Sequence, residues 1–425
     1  MKILIYGLNY APELTGIGKY TGEMAAWLGK AGHEVRVITA PPYYPDWKVG
    51  KGFSAWRYSL SAHDNVLVWR APVWVPSQPS GIKRMLHLAS FAVSSFPLML
   101  RQIFWRADVV WVVAPALACV PGALLCARLS GAKAWLHIQD YEVDAAFDMG
   151  LLKGRGVRRF ALGVERWLMR RFDRFSTISG RMLDLARAKG VSADRAVLFP
   201  NWVDLSAIAP PTNVAGVDGA SGYRAEWGIS TSQLIALYSG NMGGKQGLEV
   251  LAETARLLAD DPGVQFVFCG NGAGRADLES RCAGLPNVRF VDLQPLERLG
   301  ELLGAADIHL LPQRADAADL VMPSKLTGML ASGRVVVATA HPGTELALVV
   351  GGCGLVVPPD DAMAFSQAIL QLAGDAALRS SLGAAGRVYA ERNLDRDGVL
   401  GGFEAQLQRL IGGKDDVSIV DEKME

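Results

Sequence analysis

The chain has 425 residues, half of them hydrophobic and a fifth charged, with a formal net charge of +1 at pH 7. That length exceeds what one hydrophobic core usually serves, so two domains are expected. A near-neutral balance gives no reason to expect nucleic acid as a partner. Five cysteines (Cys119, Cys126, Cys269, Cys282 and Cys353) stand apart, with no CxxC pair and no His/Cys ligand cluster. They read as free thiols in a reducing compartment, and no metal or other cofactor is expected.

The N-terminus, MKILIYGLNY, enters a strand pattern at once rather than a signal peptide, so the expected location is cytoplasmic. Strand KILIY, a glycine-bearing turn with Gly16 and Gly18, a helix and strand EVRVIT make a βαβ opening. Leu86 to Leu100, LHLASFAVSSFPLML, is apolar but shorter than the ~20 residues a bilayer span needs. With Lys83, Arg84, Arg101 and Arg106 at its flanks, it reads either as a buried helix or as one lying in a membrane interface. Strands follow at VLVWR, DVVWVV and AKAWLHI. His137 lies inside the end of the last and reads as a satisfied core histidine. Asp140 and Glu142 come just after it, at a strand's carboxyl end. Asp140 suits either a sugar or acceptor contact or a helix N-cap.

A second basic segment, KGRGVRRFALGVERWLMRRFDR, sets eight Lys/Arg against Glu165 and Asp173, interleaved with Phe160, Trp167, Leu168 and Phe172. Such a helix suits an anionic membrane surface, and a solvated helix face is the alternative. At Ser206 to Tyr223 the composition turns to Ala, Pro, Gly, Asn and Ser, which marks a linker. The expected division is a first domain over 1–205, a linker over 206–225 and a second domain over 226–392. A C-terminal helix over 393–412 is placed to cross back to the first domain, and 413–425 is expected to be disordered.

After the linker, LIALYSGNMGGKQGLEVL restarts the strand, glycine turn and helix grammar. Continuous apolar strands alternating with helices imply parallel sheets covered on both faces. The fold class is therefore α/β, with two Rossmann-like doubly wound domains facing across a cleft. Three loops of the second half bear glycine or open a helix: Gly240 to Gly247, with Asn241, Lys245 and Gln246; Gly270 to Gly274, with Asn271 and Gly272; and the loop through Pro323 to Ser324.

In PSKLTGMLASGRVVVA, Leu326, Met329 and Leu330 give one apolar face, Ser324 is a candidate N-cap and Gly333 a candidate C′ residue. Lys325 then sits at the positive end of the helix dipole, which is unfavourable unless an anion is there too. A diphosphate held by Lys325 and the backbone amides of Ser324, Lys325 and Leu326 would resolve this. Tight turns needed only for packing are the alternative for the loops, and a solvated side chain for Lys245. No GxxxxGK[ST] or GxGxxG occurs, nor a DxD pair at a strand end, so metal-independent nucleotide-sugar chemistry leads.

These motifs, in this order, resemble the retaining GT-B glycosyltransferases of family four. PNWVD (Pro200 to Asp204) resembles the family's Pro-Asn-Gly-Val-Asp, and YSGNMGGKQGLE, CGNGAGRADLE, ADIHLLPQ and GMLASGRVVVA resemble its second-domain segments. YGLNYAPELTGIGKYTGEM, VRVITAPPYYPDWKVG, LHIQDYEVDA and VMPSKLT look like the colanic acid fucosyltransferase branch. The resemblance implies a nucleotide-sugar donor, GDP-fucose, and a saccharide acceptor on polyprenyl diphosphate. It implies an enzyme peripheral on the inner face of the cytoplasmic membrane. Lys325 and Lys245 would offset diphosphate charge, and Gly16 and Gly18 would approach the transferring phosphate and the acceptor. The family's Glu-x7-Glu pair falls on Leu320 and Gly328, and its loop arginine on Asn241, so ribose recognition must differ. Two other readings stay open: a sugar-nucleotide epimerase of the same layout, drawing on Asp140, Glu142 and His137, and a non-catalytic binding partner in polysaccharide assembly.

Overall fold

In the computed structural model the described residues are 1–14, 16–78, 80–114, 117–141, 143–144, 154–210, 221–243, 246–315 and 322–412. They fall into two compact units, Met1–Phe199 with Leu400 onward, and Pro200–Val399.

Unit 1 is built on β1 (Lys2–Tyr6), β2 (Glu34–Thr39), β3 (Ser59–His63), β4 (Val66–Arg70), β5 (Val109–Ala114), β6 (Lys133–Ile138), β7 (Arg174–Thr177) and β8 (Ala196–Leu198). Their order is β3-β4-β2-β1-β5-β6-β7-β8, parallel except for β3 against β4. Every residue of β5, VVWVVA, is buried, as a strand covered on both faces requires. The covering helices are α1 (Gly16–Lys30), α2 (Gly81–Gln102), α3 (Val120–Ser130), α4 (Arg155–Met169) and α5 (Gly180–Ala188). The chain moves outward from β1 to β2, then returns past it to β5, so the switch point lies between β1 and β5. None of the helices among the described residues is long and apolar enough to cross a membrane.

Unit 2 opens with α6 (Ser221–Glu226), then alternates β9 (Leu234–Ser239), α7 (Glu249–Leu257), β10 (Val264–Cys269), α8 (Arg275–Arg281), β11 (Val288–Val291), α9 (Leu299–Ala305), β12 (Ile308–Leu311), α10 (Lys325–Ala331), β13 (Val335–Thr339), α11 (Glu345–Gly351) and β14 (Gly354–Val357). Helices α12 (Ala362–Gly374), α13 (Ala376–Asn393) and α14 (Arg396–Gly412) follow. The sheet is wholly parallel, ordered β11-β10-β9-β12-β13-β14, with its switch point between β9 and β12.

Both described ends of the expected linker belong to unit 2. Ile208 is in its core, and Tyr223 of α6 is fully buried beside Trp227, because the polar composition between them hides two apolar anchors. The change of unit comes after Phe199, not after residue 205. From Leu400 onward, α14 counts with unit 1, where Phe403 stacks on Phe199 at 4.4 Å and meets Trp135 edge-on at 5.1 Å. The tail over 413–425 lies outside the described residues.

Truncating such a ring removes a large buried surface and leaves a cavity. Phe403→Ala is expected to cost about 3–5 kcal/mol, read by urea unfolding followed through tryptophan fluorescence. A loss under about 1 kcal/mol would mean that α14 does not complete the unit 1 core.

Candidate active site

The carboxyl ends of β9 and β12 form the ligand-ready edge of unit 2, where loops diverge at the switch point. Lys325 is the first residue of α10. Its Nζ is buried and has no hydrogen-bond partner among the described residues. The ammonium lies 4.1 Å from the centroid of the Tyr238 ring, and its stem runs past Gly240. Tyr238 is itself fixed, donating its hydroxyl to the Asn241 carbonyl at 2.6 Å. Burial lowers the Lys325 pKa from near 10.5 to about 7. A ring face attracts a cation but satisfies none of its N–H donors, and an unpaired buried charge is costly. An anion beside Lys325 would restore both the charge balance and the hydrogen bonds.

The loops around it behave less uniformly than the sequence suggests. Gly240, Gly270 and Gly272 have φ of 128°, 141° and 150°, a region that favours glycine. A Cβ on Gly270 would overlap the Gly240 carbonyl oxygen, and one on Gly272 would come within 2.5 Å of Met242 O. The smallness of Gly270 and Gly272 thus follows from two loops touching, with Met242 N donating to Asn271 O at 2.9 Å and Gly274 N to Met242 O at 2.8 Å, whereas a Cβ on Gly240 would meet only Lys325 Cδ at 3.8 Å. Packing alone accounts for those two. Asn241 and Asn271 are exposed, and the Asn271 side chain accepts from Arg275 at 2.5 Å. Gln246 Oε1 is a second buried polar atom without a partner among the described residues. Lys245 lies outside the described residues, as does Leu320.

Two expectations for α10 need correction. Ser324 takes helical φ/ψ and makes no side-chain cap, and Leu326 is buried in the core with its amide already donating to Pro323 O at 3.0 Å. The Leu326 amide is therefore not free for a diphosphate. Gly333 does close the helix, with φ 68° and its amide on Leu330 O at 3.1 Å. A Cβ on Gly328 would lie 3.0 Å from Leu303 Cδ1, so the position where the resemblance sets an acidic residue faces packed leucine.

In unit 1, Gly16 has φ 59° at the start of α1, with open space where a Cβ would stand. Gly18 is packed: a Cβ there would overlap the Glu13 carboxylate. Sequence reasoning missed Glu13, which is 5% exposed and takes the Asn9 side-chain amide on Oε2 at 2.9 Å. Arg70, also buried, spans the same turn by donating to Ala40 O at 2.8 Å and Ala11 O at 2.5 Å. Asp140 is partly buried two residues beyond β6, and Glu142 lies outside the described residues. His137 is a core residue, bonded to Ser176 Oγ at 2.9 Å and stacked on Trp111, and burial lowers its pKa to about 3.

Two doubly wound parallel-sheet units in tandem are the architecture of the GT-B glycosyltransferases. The chain superposes on sucrose-phosphate synthase from Thermosynechococcus elongatus with a TM-score of 0.74 at 17% identity, covering 97% of this chain and 100% of that one. It superposes on WaaG, a glycosyltransferase involved in lipopolysaccharide biosynthesis, at 0.66 and 17%, covering 97% and 100%. Residues 15–202 match the "Glycosyl transferase 4-like domain" model and residues 233–375 the "Glycosyl transferases group 1" model. WcaI of Escherichia coli (strain K12), a candidate colanic acid biosynthesis glycosyl transferase, is 47% identical over 411 residues, 95% of this chain and 98% of that protein. The chain belongs to this GT4-like glycosyltransferase family.

The depressed Lys325 pKa has a definite sign. Between pH 7 and 10.5 the unfolded chain holds a proton that the folded chain has released, so folding gains stability as pH rises through that window. The burial penalty is fully present below 7. Lys325→Met removes it, so the variant should melt several degrees above the wild type at pH 6, with the gap closing towards pH 10. Equal calorimetric midpoints at pH 6 would show the ammonium to be solvated. Gly270→Ala should cost at least about 2 kcal/mol in urea unfolding, from strain and overlap together; a neutral result would mean that the two loops do not touch.

Proposed function

We propose that this glycosyltransferase moves fucose from GDP-fucose, with retention, to a saccharide on polyprenyl diphosphate in the assembly of a colanic acid-like exopolysaccharide. The observation that carries the donor half is the buried ammonium of Lys325 at the unit 2 switch point, which has no hydrogen-bond partner among the described residues. In the transfer the bond from the anomeric carbon to the diphosphate oxygen breaks. The acceptor hydroxyl oxygen bonds to that carbon, and its proton passes to the departing phosphate. Lys325 offsets the charge growing on the diphosphate, with Lys245 as a second cation, and the reaction calls on no metal. Such preorganised stabilisation commonly contributes ~3 kcal/mol per group. The similarity to WcaI supports the polysaccharide assignment. HepE from Anabaena, a structural neighbour at TM-score 0.67 and 14% identity, was crystallised with UDP. An epimerase reading loses one of its proton-handling groups, since His137 is sealed in the core.

A lipid-linked acceptor calls for work at a membrane, and α4 supports a peripheral place on the inner face. Val157, Phe160, Val164 and Trp167 are exposed on it by 40% to 74%, among the exposed Arg158, Arg159 and Arg166. Its one carboxylate, Glu165, turns inward to buried Lys189. The outer face is left apolar and cationic, which suits an anionic lipid surface.

Thermal shift against nucleotides and nucleotide-sugars tests the donor, because a ligand bound only by the folded state raises the midpoint. GDP and GDP-fucose should raise it, and Lys325→Ala should abolish the shift while the variant stays folded. A shift with UDP compounds alone would discard the fucosyl assignment. Because bound diphosphate favours a charged Lys325, GDP binding should take up a proton above pH 7 and weaken as pH rises. Calorimetry in buffers of different ionisation enthalpy reads this directly, and no proton uptake at pH 8 would remove Lys325 from the site. Vesicles rich in phosphatidylglycerol should sediment the protein at low salt and release it at high salt. Absence of binding at low salt would sink the membrane assignment.

A further inference from the structure

Among the described residues, the sheet of unit 1 ends on an uncovered strand. All five residues of β3, SLSAH, are exposed, and its one neighbour in the sheet is β4. The other sheet edges, β8, β11 and β14, are shorter and carry at most one exposed residue each. Folded proteins commonly guard such an edge with lysine, proline or a bulge, because its free N–H and C=O groups pair with any strand that arrives. Ser59–His63 contains none of these, and its register with β4 runs unbroken from Ser59 against Arg70 to His63 against Val66. The strand is also held at both ends. The Tyr58 hydroxyl donates to Ser94 O on α2 at 2.7 Å. At the hairpin tip the Asp64 carbonyl lies against Gly29 of α1, where a Cβ would stand 2.4 Å from its oxygen.

The turn decides which backbone groups face outward. Asp64 and Asn65 have φ of 48° and 62°, as the two-residue loop of a type I′ hairpin requires. The pair flanking such a loop, here His63 and Val66, exchanges both hydrogen bonds, and bonded and non-bonded pairs then alternate along the ladder. Ser61 and Ser59 therefore bond to β4, while Leu60 and Ala62 turn their N–H and C=O groups away from it. Those groups meet no other backbone partner among the described residues.

This outward face is complementary to itself. In the antiparallel register that pairs the whole strand with a second β3, Ser61 lies on the two-fold axis, Leu60 of one copy faces Ala62 of the other, and Ser59 faces His63. Every outward-bonding residue of the strand then meets another. Charge favours the same direction, because Arg57 precedes the strand and Asp64 follows it: antiparallel pairing sets opposite charges together, and parallel pairing would set like charges together. Apolar surface flanks the edge, with Trp56, Tyr58 and Leu60 exposed by 76%, 53% and 59%, and Val93 of α2, beside the Ser94 that Tyr58 holds, by 74%. A stable interface needs such area beyond the strand itself.

We infer that a second copy of this chain docks on β3, giving a two-fold dimer in which the two edges join into one continuous sheet. Each Leu60–Ala62 pair exchanges both backbone hydrogen bonds, and these set the register.

Sedimentation equilibrium of the full chain over a concentration series should give twice the 45.6 kDa of one chain. Ala62→Pro deletes an outward N–H and leaves the β4 ladder intact. By symmetry it removes two inter-chain hydrogen bonds, so it should weaken the dimer about tenfold or more. Ser61→Cys tests the register, because residues opposite each other in a non-bonded pair lie about 4.5 Å apart at Cα, within disulfide reach. Mild oxidation should cross-link that variant and leave Ser59→Cys uncoupled, since position 59 faces 63 rather than itself. The five native cysteines are all buried and do not compete. Should Ala62→Pro fail to fold, the exposed change Ser61→Cys still decides. A chain that stays monomeric at every concentration would overturn the inference, even if a strand of another protein takes the edge. So would a dimer indifferent to Ala62→Pro, no cross-link through Ser61→Cys, or equal cross-linking at the two positions.

Discussion

Parallel strands cannot be joined by a hairpin. Each needs a crossover that runs back over a sheet face and re-enters beside its neighbour, so the loops leaving the strands gather at the carboxyl edge. Both units obey this constraint, and both reverse their winding once, between β1 and β5 and between β9 and β12. Adjacent loops diverge where the winding reverses. Glu13, Tyr44 and Asp140 stand in loops at the carboxyl edge of unit 1, and Tyr238, Gln246 and Lys325 at that of unit 2. Their positions follow from topology before any side chain is considered.

The second opening is held by close backbone contacts between two loops. Gly240, Gly270 and Gly272 adopt conformations other residues avoid, and they do so because the loops after β9 and β10 lie backbone to backbone. That contact leaves Asn241 O in place for the Tyr238 hydroxyl, and the fixed ring in turn lies under the Lys325 ammonium. A cation with no partner among the described residues, in a desolvated place, is a local conflict of the kind expected at functional or strained sites. Replacing Tyr238 would disturb the cation from below, while replacing Gly270 would disturb the ring from the side.

Much of this was legible in the sequence, for reasons tied to particular residues. Fully buried strands such as VVWVVA write themselves as unbroken apolar runs, and Lys325 announced itself as a charge of the wrong sign at a helix start. His137 read as a core residue and is one. The misses share a cause, which is that a residue's partner can lie far along the chain. Glu13 looks like any loop carboxylate, and only the folded turn brings it the amides of Tyr43 and Tyr44, some thirty residues on. Gly18 looked like a phosphate-facing glycine but makes room for Glu13. Ser324 satisfied the cap pattern, yet its backbone had already turned helical. Tyr223 was lost in a polar stretch because one buried aromatic does not alter local composition.

The two openings differ in the sign of what they offer. Unit 2 presents a desolvated cation with no partner among the described residues, a site that gains most when its ligand is anionic and compact. Unit 1 keeps the Glu13 carboxylate occupied by the backbone amides of Tyr43 and Tyr44 and leaves the Tyr44 ring 41% exposed. A glycosyl transfer joins an anionic donor to a sugar acceptor. The leaving group must be stabilised as charge develops on it, and the incoming sugar must only be held and aimed. On the reading proposed above, a desolvated amine with a pKa near neutrality would answer the first need, because a diphosphate beside it favours its charged form.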